Sequence, residues 1–311
     1  MNIYTPEGTR ITTVKNKDYV SSLQGLERAL EKQAIIEAPV ILCDESFDLH
    51  VSLCSTVSGI IRRDEAEFSR DGEPTKDIAI LTRVGKAVCF KVVGFDEDEN
   101  GKKIAVLSRR AAQEECYLNY VSCLEPGDIV PAKVTHIEHF GAFLDVGCGI
   151  ISLLSIDSIS VSRIRHPEER LSCGESVFAV IKAIDERGRI FTSQRELLGT
   201  WEENAAAFSE GQTVRGIVRS VESYGIFVEL SPNLAGLAEF KEGVCEGQTA
   251  AVYIKSIIPD KMKIKLIIID SQDAKAEKTP LKYFVDVKDR EHIDEWTYSP
   301  GDCRKIIESV F

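Results

Sequence analysis

Several features that would assign a chemistry are missing from this 311-residue chain. No apolar run approaches the ~20 residues that a membrane helix requires, and the first residues, MNIYTPEGTR, carry no signal-peptide pattern. There is no Walker loop or GxSxG nucleophile motif, and the five histidines form no HxxxH or HxH pair. These absences favour a cytoplasmic protein without a membrane partner, a cofactor or an enzymatic activity.

The nine cysteines lack the arrangement of a zinc site or a disulfide framework. Their number is odd, no two form a CxxC pair, and several lie among apolar residues, as in AVCF and LSCG. We therefore predict buried free thiols in a reducing compartment, and no metal site.

An excess of positive charge is absent too. The formal net charge is −12, which argues against a protein that coats duplex DNA by charge. Residues 127–195 hold eight Lys and Arg against nine Asp and Glu, and residues 211–270 hold seven of each. The remaining residues of the chain therefore carry a net charge of −11. These two segments are close to neutral, so their composition permits a local basic face.

One segment of the chain is repeated. GDIVPAKVTHIEHFGAFLDVG begins at residue 127, and GQTVRGIVRSVESYGIFVELS begins at residue 211. Each copy carries two aromatic residues three positions apart: Phe140 and Phe143 in the first, Tyr224 and Phe227 in the second. A repeated module with rings at one fixed point indicates binding in series rather than around one catalytic pocket.

Short β-type runs bounded by turn residues dominate the sequence, and five of them recur in each repeat. Helical spacing occurs at 17–33, and residues 109–124 and 195–210 also look helical. We predict a mainly β fold of tandem five-stranded OB-fold barrels, joined by short helical connectors and preceded by an N-terminal helix. The predicted segments are an N-terminal helical segment (1–30), a degenerate barrel (31–110), a connector (111–126), the best-defined barrel (127–195), a connector (196–210), a third barrel (211–270) and a tail packed on the last barrel (271–311).

The aromatic pair of the middle repeat lies where an OB barrel binds its ligand. That face is formed by strands 2 and 3, flanked by the loops between strands 1–2 and 4–5. Phe140 and Phe143 fall at the start of strand 2, and the loop DERGR brings Asp185 and Arg189 to the same patch. Rings stack on bases at ~1–3 kcal/mol each, and arginine contacts phosphate, so the patch suits single-stranded nucleic acid.

A structural interpretation of the same residues stays open. A strand phenylalanine is more often part of a core, and the spacing of Phe140 and Phe143 breaks strict alternation. Asp185 and Arg189 are also compatible with a local ion pair in a solvated turn.

The middle repeat, with IDERGRIFTSQRE after it, resembles the S1 RNA-binding domain. The order of elements over 31–270 is similar to that of bacterial ribosomal protein S1-type chains, most closely in the middle repeat and least in the first. The resemblance implies an RNA-binding surface of two aromatics, a histidine on strand 3, and a later Asp and Arg. In the middle repeat the matching residues are Phe140, Phe143, Asp185 and Arg189, with Ser155 at the histidine position.

The other two repeats match less well. In the third, Tyr224 and Phe227 match the aromatics and Lys263 the arginine, while Glu239 and Pro259 replace the histidine and the aspartate. Lys255 and Lys265 are candidates to compensate for Glu239 by their positive charge. In the first, the matching positions hold Phe47, His50, Asp96 and Lys103, and no FGAF sequence remains, so we predict a structural or protein-docking role.

The resulting hypothesis is a single-stranded RNA (mRNA) binding protein that works with the small ribosomal subunit in translation. The ring pairs would stack on bases, and Lys133, Lys182 and Arg189 would hold the backbone. A metal-dependent RNA-processing enzyme is disfavoured, because no clustered carboxylates or histidines occur. The alternatives that remain are a protein-interaction scaffold and an accessory factor in RNA decay or regulation.

Overall fold

The computed structural model of the chain describes residues 4–70, 75–99, 101–273, 281–287 and 290–311. Its strands form three closed five-stranded barrels in succession, so the predicted mainly β fold of tandem OB-type barrels is confirmed. In each barrel the third strand pairs in parallel with the fifth, and the other pairs are antiparallel.

The three barrels follow one plan of strands. The first consists of β1 (Ile36–Cys43), β2 (Leu49–Val51), β3 (Ser58–Ile61), β4 (Ala87–Glu97) and β5 (Lys103–Ser108). The middle barrel consists of β6 (Ile129–Glu138), β7 (Gly141–Gly147), β8 (Ile150–Ser155), β9 (Ser176–Ile184) and β10 (Ile190–Ser193). The third consists of β11 (Thr213–Glu222), β12 (Gly225–Ser231), β13 (Leu234–Ala238), β14 (Thr249–Ile258) and β15 (Lys263–Gln272).

Alternation along each strand sends one set of side chains inward to form a core. In β15, for example, Ile264, Leu266 and Ile268 are buried, while Lys265 and Ile267 between them are exposed. The five β-type runs predicted for each repeat are all present as strands, since this period of two is visible in the sequence.

The N-terminal helix predicted at 17–33 is two helices, α1 (Val14–Val20) and α2 (Leu23–Glu31). Ser22 adopts an extended conformation, and its hydroxyl accepts a hydrogen bond from the N–H of Gly25 as an N-cap. A Cβ on Gly25 would lie 2.4 Å from the carbonyl oxygen of Tyr19, so the two helices pack backbone to backbone at this glycine.

The helical connectors are shorter than the sequence suggested. A short helix, α3 (Asp77–Leu81), lies within the first barrel, and α4 (Arg109–Asn119) follows it. The segment 195–210 holds only a 3-10 turn at Arg195–Leu198 and α5 (Trp201–Ala205). Gly199, with φ of +83°, separates the two, because a left-handed residue cannot continue a helix.

The C-terminal tail contacts both the middle and the third barrel. It carries a hairpin of β16 (Glu295–Thr297) and β17 (Glu308–Val310), and Trp296 and Tyr298 are buried in the core of the third barrel. Two tail residues accept hydrogen bonds from the middle barrel. The carbonyl of Glu291 accepts one from the N–H of Ile129, and Tyr283 Oη accepts one from the N–H of Phe178. Residues 274–280 and 288–289, which the prediction assigned to this tail, lie outside the described residues.

The N-terminal segment joins the first barrel to the middle one through buried charges. Arg109, which is fully buried, donates to both carboxylate oxygens of Glu7 at 2.8 and 3.2 Å, and the N–H of Glu7 donates to Asp145 at 2.7 Å. Burial and the charge of Glu7 raise the pKa of Asp145 to about 7. This contact between the first and middle barrels, called here the first joint, therefore contains buried charges that lose a partner if the barrels separate.

All nine cysteines are free, as predicted, but only some are buried. Cys89 of AVCF is buried, whereas Cys173 of LSCG is exposed because it lies in a loop turn beside Gly174. Over the described residues, no group of three or more His, Cys, Asp or Glu side chains could hold a metal ion. None of the helices in these ranges has the length and apolar character that crossing a membrane requires.

Candidate nucleic-acid interface

The two phenylalanines of the middle barrel form an exposed pair of rings. Phe140 lies in the turn before β7 and is 54% exposed, and Phe143 lies on β7 and is half-buried. Their ring centroids are 6.0 Å apart with an interplanar angle of 89°. One ring is in the turn and the other on the strand, so their spacing of three brings them together although it breaks strand alternation.

Gly141 makes this arrangement possible through close backbone approach. It pairs with Ser155 across β7 and β8, and a Cβ at this position would lie 2.3 Å from the carbonyl oxygen of Leu154. Gly225 repeats the arrangement in the third barrel, where a Cβ would lie 2.5 Å from the carbonyl oxygen of Ala238. Any larger residue would push the hairpin away from the third strand.

Two further rings join the pair of the middle barrel, and the sequence interpretation missed both. His136 is the cross-strand partner of Phe143, with stacked rings 6.2 Å apart. On the other side of Phe143, Leu153 and then Phe191 continue the same row across β8 and β10. Neighbouring strands lie about 4.8 Å apart, so Phe143 and Phe191 are separated by roughly 10 Å.

His136 and Phe191 were not predicted from the sequence, for two different reasons. A bulge between Val134 and His136 shifts the register of β6, so His136 points outward where alternation predicts an inward side chain. Phe191 follows Arg189 by two positions, and two strand residues at that spacing share a face. That signal was present in the sequence.

Arg189 and Asp185 form the ion pair that the sequence allowed. Arg189 Nε lies 2.7 Å from an Asp185 carboxylate oxygen, and the other oxygen accepts from the Arg189 N–H at 2.8 Å. Both hydrogen bonds lower the pKa of Asp185, and the one from the Arg189 backbone N–H has the larger effect. The guanidinium is two-thirds exposed, so Asp185 orients it through one edge and leaves the other edge to solvent.

The two predicted lysines of the middle barrel lie in different surroundings. Lys182 is exposed, and its ammonium donates to Ser158 Oγ at 3.3 Å, beside the hydroxyl of Ser155. It therefore supplies a cation near the position that holds histidine in the S1 pattern. Lys133 Nζ donates to the carbonyl of Glu7 at 3.0 Å, so this ammonium is used at the joint with the N-terminal segment.

The third barrel repeats the ring pair. Tyr224 is 68% exposed, and its ring centroid lies 6.2 Å from that of Phe227 at 85°. The row across the strands runs from Phe227 to Leu237 and then to Lys265. Lys265 thus takes the place that Phe191 has in the middle barrel, and a cation replaces a ring.

The charges around the third ring pair come mainly from lysines. Lys263 pairs with Ile258, as Arg189 pairs with Asp185, so Ile258 and not Pro259 occupies the aspartate position. Pro259 begins the longer turn that follows. Lys255, Lys263 and Lys265 are all exposed, and within the described residues none has a carboxylate partner.

The matching residues of the first barrel are engaged within that barrel. His50 lies 2.8 Å from Asp44, Asp96 lies 3.7 Å from Arg62, and Lys103 lies 2.7 Å from Glu97. The guanidinium of Arg63 is 5.3 Å from the ring centroid of Phe47. Two exposed aliphatic side chains, Ile41 and Leu42, lie on β1, and Leu42 takes the place that His136 has in the middle barrel.

Comparison with known proteins agrees with this geometry. Residues 124–195 match the family model described as S1 RNA binding domain. The Small ribosomal subunit protein bS1 of Staphylococcus aureus is 32% identical over 164 residues, which cover 51% of this chain and 41% of that protein. Its counterpart from Staphylococcus epidermidis is 30% identical over 201 residues, covering 59% and 50%. The chain therefore spans about half the length of these relatives, and the resemblance to S1-type proteins is confirmed.

Solved structures with similar parts were also found. A multidomain protein with nucleic acid binding domains from Streptococcus pneumoniae is 16% identical, covers 76% of this chain and 73% of its own, and has a TM-score of 0.25. A chain of the a/eIF2alpha–aDim2p–rRNA complex from Pyrococcus horikoshii is 29% identical over 27% of this chain and 51% of its own, with a TM-score of 0.23.

Proposed function

We propose that this protein binds single-stranded RNA on the ring pairs of its middle and third barrels. The observation that carries the proposal is the exposed Phe140–Phe143 pair beside the half-free guanidinium of Arg189. Flat rings accept any unpaired base, and the guanidinium contacts phosphate without reading sequence. The expected ligand is therefore an unstructured strand, bound with little base preference.

The partner that we propose is mRNA at the small ribosomal subunit, in the cytoplasm. This part of the proposal is supported by the bS1 relatives and by the S1 domain at 124–195. Two ring sites in one chain also suit this role, because linked weak sites hold a strand by effective concentration.

Fluorescence anisotropy with labelled oligouridine tests RNA binding on the full chain. Phe140→Ala with Phe143→Ala should weaken binding by at least about tenfold, since each base stack is worth ~1–3 kcal/mol. Phe47→Ala is the matched control, because Phe47 holds the equivalent position in the first barrel under Arg63. Unchanged affinity in the double variant, with folding intact, would reject the proposal.

A protein-docking role of the first barrel is a second candidate function. It is favoured by the exposed side chains of Ile41 and Leu42, which are 63% and 53% accessible, and by the internal pairing of the residues at the RNA positions. Leu42→Ser should then reduce co-sedimentation with small ribosomal subunits while oligouridine affinity stays constant. Equal co-sedimentation of both proteins would count against this role.

A further inference from the structure

A long loop of the middle barrel, residues 156–175 between β8 and β9, is anchored on the third barrel. The guanidinium of Arg170 contacts the carboxylate of Glu229, and both side chains are only 3% exposed. Arg219 Nε binds the same carboxylate at 2.7 Å and its other end contacts Glu169. Separating these groups would leave buried charges unpaired, so the two barrels hold one relative orientation.

Backbone contacts reinforce this anchor. The N–H of Val161 donates to the side-chain oxygen of Asn233 at 2.9 Å, and the N–H of Ser162 donates to the carbonyl of Pro232 at 3.3 Å. Asn233 is fully buried and donates in turn to the carbonyls of Arg195 and Gly199 in the connector. The loop and the connector are thus attached to one point of the third barrel.

The anchored loop connects the two ring pairs along the surface. His139, next to Phe140, has its ring centroid 4.7 Å from that of His166 in the loop. Arg165, the preceding loop residue, contacts the carboxylate of Glu246 on the third barrel. Glu246 accepts a hydrogen bond from the N–H of Val221 at 3.3 Å.

Val221 belongs to the hairpin that carries the third ring pair. It pairs with Ile226, and Tyr224 stands at the tip between them. His139 and Tyr224 are exposed, and the side chain of Arg165 is 57% exposed. A series of contacts at the surface therefore leads from Phe140 to Tyr224, through His139, His166, Arg165 and Glu246, all of them at least partly exposed.

We propose that His139, His166 and Arg165, called here the interbarrel bridge, form a third RNA contact zone. One strand then passes from the middle ring pair to the third without leaving the protein surface, an inference that rests on the function proposed above. Imidazole rings stack on bases as other aromatic rings do, and the guanidinium contacts a phosphate. The ligand class is single-stranded RNA long enough to cross the joint.

A length series of oligouridines on the full chain tests the bridge. His139→Ala with Arg165→Gln should lower affinity about five- to tenfold for strands of about 16 nucleotides, and should leave strands of about 4 nucleotides unaffected, since the latter occupy one barrel. Arg28→Gln is the control, because it removes one exposed positive charge on α2. A variant that binds long strands as tightly as the unmodified chain would overturn the bridge.

Glu246→Gln separates a contact with RNA from a purely structural role of Arg165. The amide keeps an acceptor for the N–H of Val221 but releases the guanidinium to a phosphate. We expect tighter binding of long strands by about twofold or more, with a steeper salt dependence. A structural role would instead weaken binding in Glu246→Gln and in Arg165→Gln alike.

The two sets of variants distinguish a failure of the ring-pair function from a failure of the interbarrel bridge. If Phe140→Ala with Phe143→Ala does not weaken binding, the ring-pair function is wrong and the bridge with it. If that variant weakens binding while the bridge variants do not, at any strand length, only the bridge is wrong.

Discussion

The middle and third barrels carry the same ring pair in different surroundings. Around Phe140 and Phe143 the row continues into His136 on one side and Phe191 on the other, so aromatic area dominates. Around Tyr224 and Phe227 the corresponding place holds Lys265, with further lysines nearby. The comparison suggests that the middle site works mainly by stacking and the third mainly by charge.

A second shared feature is the acidic residue two positions after the second ring. Asp145 in the middle barrel and Glu229 in the third are both buried, and each holds a segment from earlier in the chain: Asp145 the N-terminal segment, and Glu229 the loop 156–175 of the middle barrel. Asp145 accepts from the N–H of Glu7, whereas Glu229 holds two arginines. The same sequence position therefore builds both joints, with different chemistry.

The largest effect on stability is expected at the contact between the middle and third barrels, where Arg170 meets Glu229. Glu229→Gln leaves the guanidinium of Arg170 buried without its counter-charge and leaves Arg219 with Glu169 alone, which should cost about 3–5 kcal/mol in the free energy of unfolding. Urea denaturation of the variant and of the unmodified chain measures this loss of stability. Asp185→Asn, at the exposed pair with Arg189, is the control and should change stability little. Equal losses in the two variants would mean that burial of the joint does not matter.

The next largest effect is expected for the ring pairs, and it concerns RNA affinity. Phe140→Ala with Phe143→Ala should weaken oligouridine binding more than Tyr224→Ala with Phe227→Ala, because Lys265 and its neighbours remain to hold the strand in the third barrel. We expect the two losses to differ by about tenfold in anisotropy titrations at moderate salt. A larger loss in the third barrel would reverse our ranking of the sites.

The contact between the N-terminal segment and the first barrel should respond to pH. It includes the buried carboxyl of Glu37 on β1, which accepts hydrogen bonds from backbone N–H groups of residues 8–11. Burial raises the pKa of Glu37 to about 7, against about 4.3 for a free glutamate, so the folded protein binds this proton more tightly than the unfolded chain. Its stabilising contribution is complete at low pH and is lost as the pH rises from about 4.3 to 7.

Glu37→Gln isolates this carboxyl. The amide oxygen can still accept from the N–H groups of Gly8, Arg10 and Ile11, and it has no proton to lose. Relative to the unmodified chain, the variant should gain about 2 kcal/mol in the free energy of unfolding between about pH 5 and pH 8. A constant difference across that range would show that Glu37 titrates normally.

The smallest effect concerns the histidine position of the S1 pattern. Glu239 lies beside the third ring pair and Ser155 beside the middle one. Glu239→Ser should strengthen oligouridine binding about threefold, and Ser155→Glu should weaken it by a similar factor, because a surface charge acts weakly through water. The effect should vanish at high salt, and a persistent one would point to a change of shape instead.

Much of this molecule was predictable because its information is local. Alternation of apolar residues positioned the strands, and the pairs at 140/143 and 224/227 marked the candidate sites. The predicted N-terminal helix is present but is divided into α1 and α2, since the cap at Ser22 and the close helix contact at Gly25 interrupt it. Those two effects depend on hydrogen bonding and packing that helical spacing does not express.

The period of the strands, the ring pairs and the resemblance to S1 domains can all be seen in the order of the amino acids. Which further groups join the rings depends on contacts between distant parts of the chain. A bulge turned His136 outward onto Phe143, and the burial of Arg170 against Glu229, 59 residues later, seated the loop that brings His166 to His139. Local backbone preference specifies a strand or a turn, whereas register and burial depend on groups that meet only after the barrels have closed.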